Sequence, residues 1–260
     1  KKLSLPLCGQ TSISFNQIEI FTRYKKKVYS KIIDIKNIKK LPLVIRKKIS
    51  SDIKKITAQR KFLQNKNHII MGVLNMTPDS FSDGGRYIKK VSAKKQIDKL
   101  IKGGAKIIDI GGESTRPGST EVFHTDEWMR IKKIMQYLKQ KNFFVSLDTR
   151  KSFVMKNASK FKLDLINDVS GLSYDKETVN FLQKSKKPFV LHHMQGSTKT
   201  MQINPTYKNV LLDIYDYFEK KLEFIKKKGI KHSNIILDPG IGFGKNLKHN
   251  ITLIRNISIF

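Results

Sequence analysis

Residues 69–85 read IIMGVLNMTPDSFSDGG and fall into two contrasting halves. Ile69–Leu74 is a short apolar run of the length of a strand, whereas almost every residue from Asn75 onward is polar, Gly or Pro. A loop so rich in hydrogen-bonding groups, placed directly after a strand, is typical of a binding loop and not of a packed core. The stretch therefore predicts a buried strand whose carboxyl end faces a ligand.

The same unit recurs along the chain, with an apolar strand that ends in polar residues and an amphipathic helix after it. The first helix is marked by apolar residues at Ala93, Ile97, Leu100 and Ile101, which lie on one helical face. A long helix is predicted over roughly 207–228. The six predicted strands are Ile69–Leu74, Lys106–Ile110, Phe143–Leu147, Leu163–Ile166, Phe189–Leu191 and Asn234–Leu237.

These strands indicate a parallel sheet, because their apolar residues do not alternate with polar ones and both faces must be buried. Polar residues follow every strand, which favours a TIM (β/α)8 barrel over an open doubly wound sheet with its ligand at one switch point. Six of eight units are recognisable, and we expect the last two to be missing after Phe260. The predicted domains are a small basic N-terminal segment, residues 1–66, and an incomplete β/α barrel, residues 67–260.

The charge of the chain is strongly positive, with a formal value of +31. Residues 1–66 contain 15 Lys, 3 Arg and 3 acidic residues, and the remaining excess is spread over predicted helix faces. Specific RNA platforms favour Arg and stacking aromatic residues, which are sparse here. We therefore do not expect nucleic acid as a partner, and a nonspecific attraction for anionic small substrates fits the charge better.

Other classes of protein are also disfavoured by the sequence. No window approaches 18 consecutive apolar residues, so a membrane span is not expected. The first residue is Lys, and no signal-peptide pattern follows it. Cys8 is the single cysteine and excludes an internal disulfide framework. A reducing cytoplasm is the expected compartment.

Three polar side chains at strand ends form the sharpest candidate site. Asp148, Asn167 and Asp238 each follow an apolar strand, where an unpaired carboxylate would be costly unless it is bound to something. Two carboxylates and an amide together offer acceptors and a donor to a flat heterocycle rich in N–H groups. A structural salt bridge with a neighbouring Lys or Arg is the alternative role for either aspartate.

Further polar loops follow other predicted strands. Residues 115–118, Thr-Arg-Pro-Gly, present a guanidinium suited to a phosphate or carboxylate. Residues 240–245, GIGFGK, do not fit the Walker A or dinucleotide patterns, and we expect close backbone approach to a ligand with Phe243 as an apolar wall. His192 and His193 point to opposite faces of a strand, so they are expected to be structural or pocket-lining and not a shared metal site.

These motifs together resemble the dihydropteroate synthases, the folate-pathway targets of sulfonamides. The matching pieces occur in family order: MGVLNMTPDSFSDGG at 71–85, IIDIGGESTRPG at 107–118, SLDTRK at 146–151, LINDVSGL at 165–172, HMQGSTKTMQ at 193–202 and LDPGIGFGKN at 237–246. The resemblance implies condensation of 4-aminobenzoate with (7,8-dihydropterin-6-yl)methyl diphosphate, giving 7,8-dihydropteroate and diphosphate. It also implies Mg2+ as cofactor and a homodimer in the full-length protein.

The resemblance assigns expected roles to individual residues. Asp148, which is also expected to be catalytic, resembles a pterin-binding residue, as do Asn167, Asp238 and Phe243. Asn75 resembles the residue associated with Mg2+ and the diphosphate. The remaining assignments are Thr115 and Arg116 for the diphosphate substrate, and Phe81 and Pro117 for the aminobenzoate pocket. The family's late Ser-Arg-Lys and Arg-x-His motifs have no counterpart in the sequence.

Two alternatives remain beside this reading. A pterin-binding methyltransferase domain that serves a corrinoid would share the barrel and the pterin carboxylates, but it needs no diphosphate site, and the loops at 77–85 and 114–118 disfavour it. An inactive truncated remnant or basic binding module is suggested by the charge and by the missing barrel units. Methyl transfer from methyltetrahydrofolate, or salt-sensitive RNA binding without pterin affinity, would distinguish them.

Overall fold

The computed structural model describes residues 3–7, 9, 14–25, 27–58, 69–77, 86–114, 119–198 and 200–260, with the side chains of 86–90 and 258 left out. The chain divides into two compact units, Lys1–Asn67 and His68–Ser258 together with Phe260. Within the described residues, no helix is long and apolar enough to cross a bilayer.

The first unit consists of small antiparallel elements and one helix. Strands β1 (Leu5–Pro6) and β2 (Ser14–Phe15) pair with each other, and β3 (Gln17–Tyr24) pairs with β4 (Lys27–Asp34) in a hairpin. A 3-10 turn at Ile35–Lys40 and helix α1 (Leu43–Thr57) follow. Their small core contains Ile35, Ile38 and Ile49.

The second unit is a regular alternation of strands and helices. Its elements are β5 (Ile70–Asn75), α2 (Arg86–Lys102), β6 (Ala105–Gly111), α3 (His124–Leu138), β7 (Phe144–Asp148), α4 (Ser152–Ala158), β8 (Leu165–Asp168), α5 (Glu177–Ser185), β9 (Phe189–His192), α6 (Val210–Lys227), β10 (Ile235–Asp238) and α7 (Leu247–Arg255). The prediction of six strand–helix units is confirmed.

The six strands form one parallel sheet in which spatial order follows chain order, from β5 to β10. A doubly wound sheet would reverse its order at a switch point, so this sequential order identifies a β/α barrel wall. The described strands β5 and β10 lie at the two ends of the sheet and are not paired with each other. All six carboxyl ends therefore meet along one rim.

The core of this unit lies between the sheet and the surrounding helices. Ile108, Ile110 and Leu147 are fully buried in the strands, and Ile131 and Met135 of α3 pack into the same cluster. Short apolar strands without polar alternation are expected where both faces are covered. The core fixes the strands, and the strand ends therefore hold their polar side chains in defined places.

Five of the six strands end one residue beyond their predicted ends, and β8 ends two residues beyond. Asn75, Asp148 and Asp238 are the last residues of their strands, and Asn167 is followed by one further strand residue, Asp168. An apolar run marks a strand in the sequence, so the sequence pattern predicts these polar residues just after the strands. Backbone pairing continues through the polar residue, which holds each side chain more firmly than a loop would.

Candidate active site

The predicted polar residues at β5 and β7 converge over Gly111, the last residue of β6. The register pairs Asn75 with Gly111 and Gly111 with Asp148. A Cβ atom at Gly111 would lie 3.2 Å from Asn75 Oδ1 and 3.3 Å from Asp148 Oδ2. The missing side chain therefore leaves room for an amide oxygen and a carboxylate oxygen to face the same space.

Asn167 lies beside Asp148 in the register of β7 and β8. Its amide Nδ2 donates a hydrogen bond of 2.9 Å to Asp109 Oδ2, on β6. Asp109 was not among the predicted site residues, although a carboxylate in the middle of the apolar run Lys106–Ile110 was the signal that could have found it. The structure therefore adds a second carboxylate to the centre of the site.

Two carboxylate oxygens at this centre are buried and unsatisfied. Among the residues that the structure describes, neither Asp109 Oδ1 nor Asp148 Oδ1 has a hydrogen-bond partner. A buried acceptor left without a donor costs free energy, so such atoms in native proteins call for a ligand or another explanation. The pair offers two acceptors to N–H groups of a bound molecule.

Burial raises the pKa of both acids, and repulsion from Asp109 adds to the effect at Asp148. Burial raises the pKa of Asp109, although the neighbouring Ser146 hydroxyl and the Asn167 amide oppose this. Burial, followed by the negative charge of Asp109, raises the pKa of Asp148 well above its ordinary value. Like charges at close range disfavour double ionisation, so a donor that binds to these oxygens also favours release of a proton.

A second polar group lies at the ends of β9 and β10, where Asp238 is paired with His192 in the register. His192 Nδ1 lies 3.0 Å from Asp238 Oδ2, and the backbone N–H of Gly240 donates to Asp238 Oδ1 over 2.8 Å. Phe243 meets the His192 ring edge-on, with 4.7 Å between ring centroids. The predicted pair Asp238 and Phe243 is therefore brought together through a histidine.

His193 faces a different environment from His192. Lys245 Nζ lies 3.1 Å from His193 Nδ1 and donates to the carbonyl of Phe243 over 2.8 Å. Burial, with the positive charge of Lys245 next, lowers the pKa of His193 to about 3, and burial lowers the pKa of Lys245 to about 8. A neutral His193 and its lysine thus hold the glycine loop after β10 against the end of β9.

A buried ion network behind β7 was not predicted from the sequence. Lys151 Nζ lies 2.7 Å from Glu127 Oε2 on α3 and 3.0 Å from Glu113 Oε2 after β6. Arg150 also pairs with Glu113 over 3.0 Å, and Thr149 donates to Glu127. The network fixes the backbone that directly follows Asp148. Its members are distant in sequence, so no local pattern could reveal it.

Glu113 also helps to hold together the residues on the two sides of 115–118. The backbone N–H of Val122 donates to Glu113 Oε1 over 2.8 Å, and Ser119 Oγ donates to the carbonyl of Ser114 over 2.6 Å. Burial opposes ionisation of Glu113, but the hydrogen bond from Arg150 and the other donors outweigh it, and the pKa of Glu113 is lowered. The residues on both sides of 115–118 are therefore tied to each other.

Four predicted site residues lie outside the described residues: Phe81, Thr115, Arg116 and Pro117. Their assignments to the aminobenzoate pocket and the diphosphate remain predictions. The described part of the site contains the candidate pterin residues and Asn75. These fall into one group at β5–β8 and a second at β9–β10.

Comparison with known proteins shows which family has this arrangement of strands and site residues. The model of the family described as pterin binding enzyme matches residues 71–260. The dihydropteroate synthase of Haemophilus influenzae is 39% identical over 207 residues, which cover 79% of this chain and 75% of that protein.

Solved structures agree with the sequence comparison. The Yersinia pestis dihydropteroate synthase in complex with a sulfonamide drug has a TM-score of 0.68 and 38% identity, covering 74% of this chain and 70% of that one. The Xanthomonas albilineans dihydropteroate synthase with 4-aminobenzoic acid has a TM-score of 0.67 and 33% identity, covering 74% and 68%. The chain therefore belongs to the dihydropteroate synthase family of pterin-binding enzymes.

Proposed function

We propose that the protein condenses 4-aminobenzoate with (7,8-dihydropterin-6-yl)methyl diphosphate, a transferase reaction of folate biosynthesis that gives 7,8-dihydropteroate and diphosphate. The observation that carries this proposal is the pair of buried, unpartnered carboxylate oxygens on Asp109 and Asp148, next to the Asn167 amide. The relatives compared above are dihydropteroate synthases, and no observation favours the methyltransferase alternative.

The pterin is the natural ligand for these acceptors. Its ring and exocyclic amino group present several N–H donors in one plane, and the two carboxylates and the amide are held on adjacent strands by the register of β6, β7 and β8. Hydrogen bonds to charged acceptors in a site without water are strong and directional. Asp238 and Phe243 would complete the pterin site from the side of β9 and β10.

We place Mg2+ beside Asn75, at the end of β5. Mg2+ keeps several waters and is held by one or two hard oxygen ligands together with substrate phosphates. Asn75 Oδ1 would be such a ligand, and its convergence with Asp148 over Gly111 supports this placement. The described residues contain no cluster of three or more His, Cys, Asp or Glu that would hold a metal by itself. When bound, Mg2+ would neutralise the diphosphate and make it a better leaving group.

The residues of the protein contribute by positioning the two substrates and by stabilising the charge that develops on the pterin. The bond between the pterin methylene and the diphosphate oxygen breaks, the bonding electrons leave with the diphosphate, and positive charge develops on the pterin methylene. An ionised Asp148 stabilises that charge electrostatically. The aniline nitrogen of 4-aminobenzoate forms the new C–N bond and loses its proton to solvent. No covalent enzyme intermediate is required.

The remaining contacts follow the predicted roles. Thr115 and Arg116 would bind the diphosphate, and Phe81 and Pro117 would line the aminobenzoate pocket. A homodimer and a cytoplasmic location complete the proposal. Light scattering of the purified protein would test the dimer, since a monomer mass across the assay concentrations would contradict it.

Pterin binding tests the proposed site independently of turnover. Isothermal titration with 6-hydroxymethyl-7,8-dihydropterin and diphosphate should give one site per chain. Asp148→Asn should weaken this binding strongly, whereas Asp98→Asn, on the exposed face of α2, should leave it unchanged. Equal pterin affinity in both variants would contradict the assignment of Asp148.

A further inference from the structure

His192 lies between two residues of the proposed pterin site. It ends β9 directly opposite Asp238 in the register, is 2% exposed, and approaches Asp238 Oδ2 to 3.0 Å through Nδ1. The other side of the ring meets the edge of Phe243 at 4.7 Å between centroids. One buried side chain therefore supports both the carboxylate and the aromatic wall.

The surroundings of the ring decide which nitrogen carries the hydrogen. Nε2 of His192 is buried and has no hydrogen-bond partner among the described residues. It faces Gly240, where a Cβ atom would lie 2.9 Å from Nε2. A hydrogen on Nε2 would be buried without an acceptor, which is costly, whereas a hydrogen on Nδ1 is accepted by Asp238. The hydrogen-bonding geometry therefore places a hydrogen on Nδ1.

With this hydrogen on Nδ1, both oxygens of Asp238 are fixed. Oδ2 accepts from His192 and Oδ1 accepts from the Gly240 N–H at 2.8 Å, so the carboxyl plane cannot rotate without losing a bond. Burial opposes ionisation of Asp238, but the hydrogen bond from His192 outweighs it and the pKa of Asp238 is lowered. Asp238 thus stays ionised to lower pH than an ordinary aspartate, in contrast to Asp109 and Asp148.

Other charged and titratable groups face this pair from each neighbouring element. Asp168 on β8 interacts electrostatically with the ring of His192, and Tyr217 on α6 donates to the His192 carbonyl over 2.9 Å. Lys245, in the loop after β10, acts on Asp238 through its positive charge. None of these three donates to a carboxylate oxygen of Asp238 among the described contacts, so the direct donors are His192 and Gly240.

We propose that His192 is a positioning residue for pterin recognition, which fixes the Asp238 carboxylate, ionised and in one orientation, against the ligand. The proposal rests on the proposed function, because it needs Asp238 to contact the pterin. It goes beyond that function because it identifies His192, on the neighbouring strand β9, as the residue that sets the orientation and charge of Asp238. His192 is expected to act through Asp238, without touching the reacting atoms.

Two substitutions separate this role from simple packing. His192→Asn keeps an N–H donor near the position of Nδ1, and His192→Leu removes it. In titrations with the pterin and diphosphate, we expect His192→Leu to weaken pterin affinity roughly ten- to a hundredfold, the loss typical of a hydrogen bond to a charged group. His192→Asn should recover most of that affinity. If His192→Leu does not fold, His192→Gln serves instead, because its amide reaches toward Gly240 and not Asp238.

A spectroscopic readout excludes a merely structural effect. In protein labelled with 13C at aspartate carboxyls, the Asp238 signal is identified by its loss in Asp238→Asn. Its titration should move to higher pH in His192→Leu and stay near the wild-type position in His192→Asn. In the Asp238→Asn background, adding His192→Leu should change pterin affinity little, since the two residues act as one unit.

The outcomes are distinguishable. Wild-type pterin affinity and an unmoved Asp238 titration in His192→Leu would overturn the role of His192 while leaving the proposed function intact. If the wild-type protein binds no pterin, the proposed function fails, and the inference fails with it. Additive losses in the double variant would likewise contradict action through Asp238.

Discussion

Asn167 Nδ2 donates to Asp109 Oδ2 over 2.9 Å and so joins β8 to β6 across the end of β7. The bond holds Asp109 beside Asp148, although both are acids whose ionisation is disfavoured by burial. It leaves one oxygen of each aspartate buried without a partner in the described structure. The pair therefore offers free acceptors to a ligand, and its raised pKa values link ligand binding to proton release.

Pterin binding should accordingly be linked to release of a proton. The free protein holds Asp148 protonated to higher pH than usual, and N–H donors of the ligand favour its ionised form. Affinity should therefore fall as the pH falls through the raised pKa. Titrations in buffers of different ionisation enthalpy measure the proton directly, and a binding enthalpy independent of buffer across the pH range in which affinity changes would contradict this coupling.

Asp109→Asn should shift that pH dependence in a defined direction. The charge of Asp109 is one cause of the raised pKa of Asp148, after burial, so its removal lowers the pKa of Asp148. Pterin affinity should then persist to lower pH than in the wild type, even though the maximal affinity falls because one acceptor is weakened. If the pH midpoint of pterin affinity rises or stays constant in Asp109→Asn, the two acids are not coupled.

Asp148→Asn should lower kcat at saturating substrate, in addition to weakening pterin binding. An amide keeps the shape of the side chain but cannot stabilise a developing positive charge, and loss of one such group typically lowers kcat about 100- to 1,000-fold. Steady-state kinetics with Asp98→Asn as a matched surface control measure the effect. A kcat within threefold of wild type would remove Asp148 from the chemistry.

The network of Lys151 with Glu113 and Glu127 should be a stability determinant. Removing one partner of a buried ion pair leaves an uncompensated charge and typically costs about 3–5 kcal/mol. Lys151→Met should lower the free energy of unfolding by about that amount in urea titrations. Lys156→Met, on the exposed side of α4, should change it by less than about 0.5 kcal/mol. Equal unfolding midpoints for the two variants would be inconsistent with the network.

Gly240 and Gly242 allow a second matched comparison, between two alanine substitutions at glycines with positive φ. Both have positive φ, 70° and 84°, but a Cβ at Gly240 would lie 2.0 Å from the His193 carbonyl oxygen whereas a Cβ at Gly242 meets nothing within 4 Å. Gly242→Ala should cost about 1–2 kcal/mol from backbone strain alone. Gly240→Ala should cost clearly more and should also weaken pterin binding. Thermal denaturation of both variants tests the order, and a larger loss in Gly242→Ala would contradict it.

Particular residues show what the sequence could and could not predict. The strand ends at Asn75, Asp148 and Asp238 were located within one residue, because an apolar run that stops at a polar residue is a local signal. Helix α6 begins at Val210 and not near 207, since the side chain of Asn209 caps it by accepting from the N–H groups of Leu211 and Leu212. Capping of this kind overrides the apolar pattern upstream.

The missed residues have partners that are distant in the chain. Glu127 lies on an amphipathic helix where an acid is ordinarily exposed, yet it is fully buried because Thr149 and Lys151, which follow β7, contact it. The sequence shows no clear helical period for α4 and α5, because these helices span only seven and nine residues. Contacts between strand ends, such as His192 with Asp238, depend on register, which the sequence alone does not give.

The most direct test of the central claim is product formation by the protein itself. The protein should be incubated with (7,8-dihydropterin-6-yl)methyl diphosphate, 4-aminobenzoate and Mg2+, with 7,8-dihydropteroate measured by mass spectrometry and diphosphate by a coupled assay. We predict both products in equal amounts, dependence on 4-aminobenzoate, and near-complete loss in Asp148→Asn. Pterin binding without any dihydropteroate, under conditions where a known dihydropteroate synthase turns over, would contradict the proposed activity.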